Sequence, residues 1–284
     1  MISLFFLVDG YMEKLKAKKS LGQNFLKDES VLERIVQDAK ISQEDVVLEI
    51  GPGKGALTEK LAKICKKVVA IELDDRLIEL LHTKFVGDKV EIIYGDILKI
   101  NLPELIENRI SLKANEAKNY KLVANIPYYI TAPIIRLLLE TKYPPQEMIL
   151  MVQKEVAERI VAKSGEMSIL AVSVQYYAKA EYLFTVPKES FDPVPKVDSA
   201  IIKISLNVKS QTSNEIETRR FFKLVRAGFS AKRKTLGNNL AASLQLDKKE
   251  IEEKLAALGF SPNTRAQELG VDDWRKLADS FVSF

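Results

Sequence analysis

The 284-residue sequence predicts an α/β fold: a doubly wound, mainly parallel sheet followed by a small all-helical domain. Three observations carry that reading. Short, almost continuously apolar runs alternate with segments of helical periodicity, as expected of strands buried on both faces. A glycine turn, Gly51-Pro52-Gly53, closes the first run. From about Ser210 onward the periodicity is helical throughout.

Asp28 to Ala39 sets Val31, Leu32, Ile35, Val36 and Ala39 on one helical stripe. Asp45 to Ile50 is the first buried strand. Ala56 to Cys65 reads as a helix, Lys67 to Glu72 as a strand, and Asp74 to Phe85 as a helix. Val90 to Tyr94 is a third strand, closed by Gly95-Asp96. Ile100 to Lys121 is polar and irregular, a surface excursion with room for a short helix. Tyr120 to Asn125 is a fourth strand, closed by Ile126-Pro127-Tyr128, and helix, apolar strand and helix follow to about Lys163. From Ile169 to Leu206 the pattern reads as long alternating strands broken by Pro187, Pro193 and Pro195, antiparallel additions to the sheet. Gln211 to Asn214 reads as a linker. The expected organisation is therefore an N-terminal extension over 1–18, a sheet domain over 19–207 and a helical domain over 208–284.

Hydrophobic residues make up 46% and charged residues 29%, which excludes collagen-like and wholly disordered classes. One cysteine, Cys65, and one histidine, His82, exclude an internal disulfide and a Cys/His zinc cage. The cysteine usage fits a reducing compartment, and a cytoplasmic location is expected. The apolar run Ile2 to Val8 is too short to span a bilayer, which demands about 20 residues, and lacks the features of a secretory signal. Met12 is an alternative start. Net charge is +4, and its distribution is uneven: 29 basic and 29 acidic residues through Asn207, then 14 basic and 10 acidic. The excess lies in the helical domain, which suggests a surface facing something anionic.

Ligands of doubly wound sheets bind at the carboxyl ends of the strands. The Gly51–Gly55 loop lets the backbone approach a ligand closely. No Gly-Lys-Ser/Thr follows, which excludes a Walker loop. Ala56 stands where a dinucleotide fingerprint has its third glycine, a departure some dehydrogenases tolerate. Glu72, about twenty residues on, can accept both hydroxyls of a ribose. Asp96 can receive an adenine amine, with Ile97 beside the ring. These ends describe a pocket for adenosine with a non-phosphate tail, which favours S-adenosylmethionine over NAD or ATP. At the fourth strand end, Asn125 Oδ1 and a main-chain oxygen of Ile126 or Pro127 could hold both protons of an adenine amine. Tyr128 would stack the base, offsetting the few kcal/mol of unstacking by about 1–3 kcal/mol. No strong general base is needed, because the proton leaves easily once nitrogen is alkylated.

At these residues the chain resembles the small-subunit ribosomal RNA adenine dimethyltransferase family (the KsgA family), from about Lys18 to the C-terminus. Six segments match in order: Lys19 to Leu26 (KSLGQNFL); Glu49 to Thr58 (EIGPGKGALT) with Glu72; Gly95-Asp96; Asn125 to Ile130 (NIPYYI); Phe191 to Ser199 (FDPVPKVDS); and Lys232 to Leu236 (KRKTL) with Asn238-Asn239-Leu240. The resemblance implies a Rossmann-like class I S-adenosylmethionine-dependent methyltransferase sheet. It places Asn24, Leu26 and the adjoining Gln23 beside S-adenosylmethionine and Gly51, in the loop with Gly53, against its methionine portion. It gives Glu72 to the ribose, Asp96 to the adenine, and Asn125 to a position between cofactor and target amine. It implies that Tyr128, beside the rigid Pro127, and Phe191 sandwich the target base. The reaction implied is in-line transfer to adenine N6, twice on each of two adjacent adenines near the 3′ end of small-subunit rRNA, in small-subunit biogenesis.

Between Thr218 and Thr235 stand seven basic residues and no acid: Arg219, Arg220, Lys223, Arg226, Lys232, Arg233 and Lys234. With a phosphate-backed substrate they are the expected rRNA contacts, and Lys14, Lys16, Lys18 and Lys19 form a second patch. The expected partner is the immature small subunit, met by a monomer without membrane or metal. The rival readings are a large-subunit rRNA adenine methyltransferase of the antibiotic-resistance type, a DNA adenine methyltransferase, a non-catalytic assembly factor, and a nicotinamide oxidoreductase.

Overall fold

The computed structural model describes residues 15–110, 120–207 and 215–281. Lys14, the alternative start and the Gln211–Asn214 linker lie outside them, as does part of the Ile100–Lys121 excursion. The chain divides into two compact units, Met1–Ala157 with Glu181–Ser205, and Glu158–Ala180 with Leu206–Phe284.

The first unit carries the parallel core of the sheet. After β1 (Phe25–Leu26) and α1 (Glu29–Asp38) come β2 (Val46–Ile50), α2 (Ala56–Ile64), β3 (Lys67–Glu72), α3 (Asp75–Lys84), β4 (Val90–Tyr94), α4 (Leu102–Arg109), β5 (Tyr120–Asn125), α5 (Thr131–Glu140), β6 (Glu147–Gln153) and α6 (Lys154–Ile160). Then follow α7 (Ile169–Tyr177), β7 (Ala178–Val186), β8 (Phe191–Asp192) and β9 (Ser199–Leu206). The seven-stranded sheet has the order β4-β3-β2-β5-β6-β9-β7. From β4 through β6 the pairs are parallel, and β9 runs antiparallel to β6. The order reverses between β2 and β5, and that switch point sets the ligand crevice.

The predicted strands and the helices of the first half form where the periodicity puts them, with sharp ends for local reasons. Asp28 and Asp74 cap α1 and α3 by accepting N–H groups of the first turn. One prediction is corrected. Ile169 to Tyr177, read as the start of a long strand, is helix α7, capped by Ser168. Its run of apolar and β-branched residues has no marked amphipathic period, so buried helix and buried strand look alike in sequence. Ala171, Val172 and Tyr176 join the core of the helical unit with Phe221, Leu224 and Trp274. This segment thus packs with the helical unit, although the expected sheet domain ran unbroken to 207.

The second unit continues with α8 (Glu215–Gly228), α9 (Leu236–Leu244), α10 (Lys248–Ala257) and α11 (Val271–Ser280). Gly228 is fixed by packing: a Cβ there would fall 2.3 Å from the buried Trp274 ring. No helix among the described residues is long and apolar enough to cross a membrane.

Candidate active site

Four strand ends and the segment before β1 line one crevice. It contains Gly22 to Phe25, Ile50, Gly51 and Gly53, Ile71 to Leu73, Gly95 to Ile97, and Asn125 to Ile130. Of the predicted cofactor residues, Gln23, Asn24, Gly51, Gly53, Glu72, Asp96, Ile97 and Asn125 all meet there. Leu26 instead lines an adjoining, largely apolar cavity with Glu49, Met151 and Ile201.

Glu72 is 5% exposed. Its Oε1 accepts the N–H groups of Leu73 and Asp74 at 2.9 and 2.8 Å, and its Oε2 accepts that of Gly53 at 3.0 Å. Burial pushes its pKa up, and these three donors oppose the shift. The carboxyl expected to face a ribose therefore holds the glycine loop in place. Gly53 (φ +58°) has no room for a side chain, because a Cβ would sit 3.1 Å from the Phe25 ring. Asp96 is shaped by its own turn, Oδ1 accepting Leu98 N–H at 3.0 Å. It remains partly open to the crevice beside the buried Ile97.

At the β5 end, Asn125 Nδ2 donates to the Asn24 carbonyl at 3.2 Å. That bond orients the amide and leaves Oδ1 as the acceptor available to a ligand. The Pro127 carbonyl accepts Ile130 N–H at 3.1 Å within a 3-10 turn over Tyr128–Ile130. Of the two main-chain oxygens expected beside Asn125, the Ile126 carbonyl is therefore the one not engaged by that turn. Tyr128 is half-buried, its hydroxyl 2.7 Å from Ser199 Oγ. Burial raises its pKa.

Two predicted residues do something else. The Gln23 side chain is committed within the fold: Oε1 accepts Lys18 N–H at 2.7 Å and Nε2 donates to Asp74 Oδ2 at 2.8 Å. It pins the segment that carries Asn24. Phe191, expected to sandwich the target base, is 1% exposed and belongs to the hydrophobic core. The reason is β8 pairing with β1, which sets Phe191 opposite Leu26 and directs its ring inward.

The sequence reading missed three contributors. Asp74 is buried and accepts from Gln23 and Arg76, whose guanidinium holds its carboxyl at about 2. Ser199 reaches Tyr128 across 71 positions, which no local signal shows. Glu49, quoted only as part of a motif, is 1% exposed, and its Oε2 has no partner among the described residues. Burial pushes it up to about 8. Thr58 and the Glu72 charge modify that shift in opposite directions, and Glu49 lines the cavity behind the glycine loop rather than the crevice itself.

The ribosomal RNA adenine dimethylase family matches residues 14–282. The chain belongs to this family. Its relatives include the ribosomal RNA small subunit methyltransferases A of Dehalococcoides mccartyi strain CBDB1 and Bacillus cytotoxicus. They are 44% and 42% identical, over 95% and 93% of this chain and 90% and 91% of theirs. A dimethyladenosine transferase from Plasmodium falciparum has a similar structure, with TM-score 0.76, 31% identity, and 90% of this chain and 97% of that one covered. The 23S rRNA methyltransferase ErmE is also similar, with TM-score 0.71, 26% identity, and coverage of 90% and 98%. The dimethylase has the class I methyltransferase sheet, and its cofactor is S-adenosylmethionine. Glu72 and Asp96 at adjacent strand ends, with the Gly51 loop between them and Asn125, fit a cofactor with a ribose and an adenine.

Proposed function

We propose that this dimethylase transfers methyl groups to N6 of two adjacent adenines near the 3′ end of small-subunit rRNA, in the immature subunit. The observation that carries the site reading is the oriented amide of Asn125, with Nδ2 tied to Asn24 and Oδ1 left for the target amine. S-adenosylmethionine supplies a methyl already activated on a sulfonium. Asn125 Oδ1 and the Ile126 carbonyl accept hydrogen bonds from the N6–H groups and hold the nitrogen lone pair toward the cofactor, and each transfer ends with the alkylated nitrogen releasing one proton to solvent. Such positioning contributes about 7–11 kcal/mol in favourable cases. Tyr128 stacks the base, steadied by Ser199. Glu72 takes the ribose hydroxyls, Asp96 the adenine amine, and Gly51 and Asn24 flank the rest of the cofactor.

In the helical unit, Arg219, Lys223 and Arg226 lie exposed on one face of α8, at i, i+4 and i+7, and Lys232, Arg233 and Lys234 lie exposed in the turn before α9. These are the expected phosphate contacts. Arg220 is turned inward, its Nε buried. The same reading has the enzyme act as a monomer in the cytoplasm, where immature small subunits are found. The small-subunit relatives favour this substrate over the large-subunit one of the 23S rRNA methyltransferase ErmE.

The test is mass spectrometry of adenines after incubating immature small subunits, and separately large-subunit rRNA, with protein and S-adenosylmethionine. Two adjacent dimethyladenines in the small-subunit RNA are expected. Modification of large-subunit RNA alone would overturn the reading.

A further inference from the structure

Tyr129 has no part in the arrangement above. It follows Tyr128 in the Tyr128–Ile130 turn and lines the same crevice, yet it is 60% exposed. Its hydroxyl has no hydrogen-bond partner among the described residues, so nothing polar explains its place. Its ring is seated from below. A Cβ at Gly22 would fall 3.3 Å from two carbons of the ring and 3.8 Å from Pro127 Cβ. Gly22 also holds φ +62°, so only a glycine lets the ring rest there unstrained. Lys18 and Lys19, both exposed, stand four and three residues before that glycine. A seated, solvent-facing aromatic ring beside lysines at the mouth of a base pocket is how proteins hold an unpaired nucleotide, through stacking plus phosphate contact.

We propose that Tyr129 is the stacking platform for the base of the nucleotide next to the target adenine, with Lys18 and Lys19 on the adjoining phosphates. This rests on the proposed reaction. While one adenine occupies the Asn125 crevice, its neighbour has lost a stacking partner. Tyr129 replaces that partner and keeps the second adenine beside the pocket for the next round. It is a positioning residue for RNA.

The test uses the full-length protein and reconstituted small subunits whose rRNA carries either both adenines or an abasic residue beside one remaining adenine. On the normal substrate, Tyr129→Ala is expected to raise KM for the particle by about 5–150-fold, with kcat and the Kd for S-adenosylmethionine unchanged. Tyr129→Phe and Tyr129→Trp should restore the wild-type KM. On the abasic substrate, wild type and Tyr129→Ala should become equal. An equal loss on both substrates, weakened cofactor binding, an unchanged KM or failure of Phe to rescue would overturn the proposal. Absence of methyladenine with the wild type would instead overturn the underlying reaction, so the two failures are distinct.

Discussion

The two ends of the crevice are built differently. At the cofactor end, the Glu72 carboxylate is held by three backbone N–H groups and Asp96 by its own turn. At the target end, Asn125 makes one orienting bond and keeps an acceptor in reserve, and Tyr129 offers an open ring. The first end is preorganised by the fold for a small molecule that is always the same. The second is only half satisfied, and on the proposed reading RNA completes it. A site that must release one product and take the adjoining base benefits from that asymmetry, since every bond satisfied internally would have to break before the base could bind.

The largest expected effect breaks the target end alone. Asn125→Ala should lower kcat by about 10²-fold or more while the Kd for S-adenosylmethionine stays close to wild type. Asn125→Asp should fail similarly, because a carboxylate oxygen cannot donate to the Asn24 carbonyl and the orienting bond is lost. Retained activity in either variant, measured by single-turnover methyl transfer, would erase the distinction between the two ends.

Glu72→Ala breaks the cofactor end. It removes the expected ribose contact and orphans the Gly53 and Asp74 N–H groups. Calorimetric titration should show cofactor affinity reduced by about 10–100-fold, with a lowered melting temperature.

A smaller effect separates the two buried acids. Glu49 has its folded pKa raised from 4.5 to about 8. Between those values the unfolded chain has released a proton that the folded chain keeps. Stability from this group is therefore fully present below about pH 4.5 and is lost as pH rises through about 8. Without ligand, Glu49→Gln should melt higher than wild type at pH 8 and flatten the decline with pH. Melts that fall in parallel for both proteins would remove Glu49 from this account. Asp74 has the opposite sign. Its carboxyl, held at about 2 from an ordinary 3.8, supports the fold above about pH 3.8 and loses that contribution as pH falls through about 2.

The smallest effect concerns the helical unit. Arg226→Ala should reduce the slope of log affinity against log salt by roughly 0.7–0.9 if the side chain meets one phosphate. Filter binding with rRNA at several salt concentrations would show it, and an unchanged slope would take Arg226 out of the interface.

The cofactor end was the more legible in sequence because its signals are local. Glycines, an acid at a strand end and a second acid one strand later each follow from a few neighbouring residues. The target end was legible in part: Asn125 and Tyr128 stand in one short motif, but the direction of the amide depends on Asn24, 101 positions away. Phe191 was misjudged for the same reason. Its aromatic type suits base stacking, while the two-residue pairing of β8 with β1 turns it into the core.

What the sequence by itself determined is the alternation of strands and helices, the turns that punctuate them and the types of chemical group at each strand end. Periodicity and backbone preference act over a few residues and need no partner. Only the tertiary structure decided which of those groups face the crevice. It engaged the Pro127 carbonyl in a turn, spent the Gln23 amide on Asp74, left Glu49 Oε2 without a partner among the described residues and seated Tyr129 on Gly22. Each of those outcomes depends on packing between segments far apart in the chain, and a side chain's chemistry is fixed by the partners that packing leaves it.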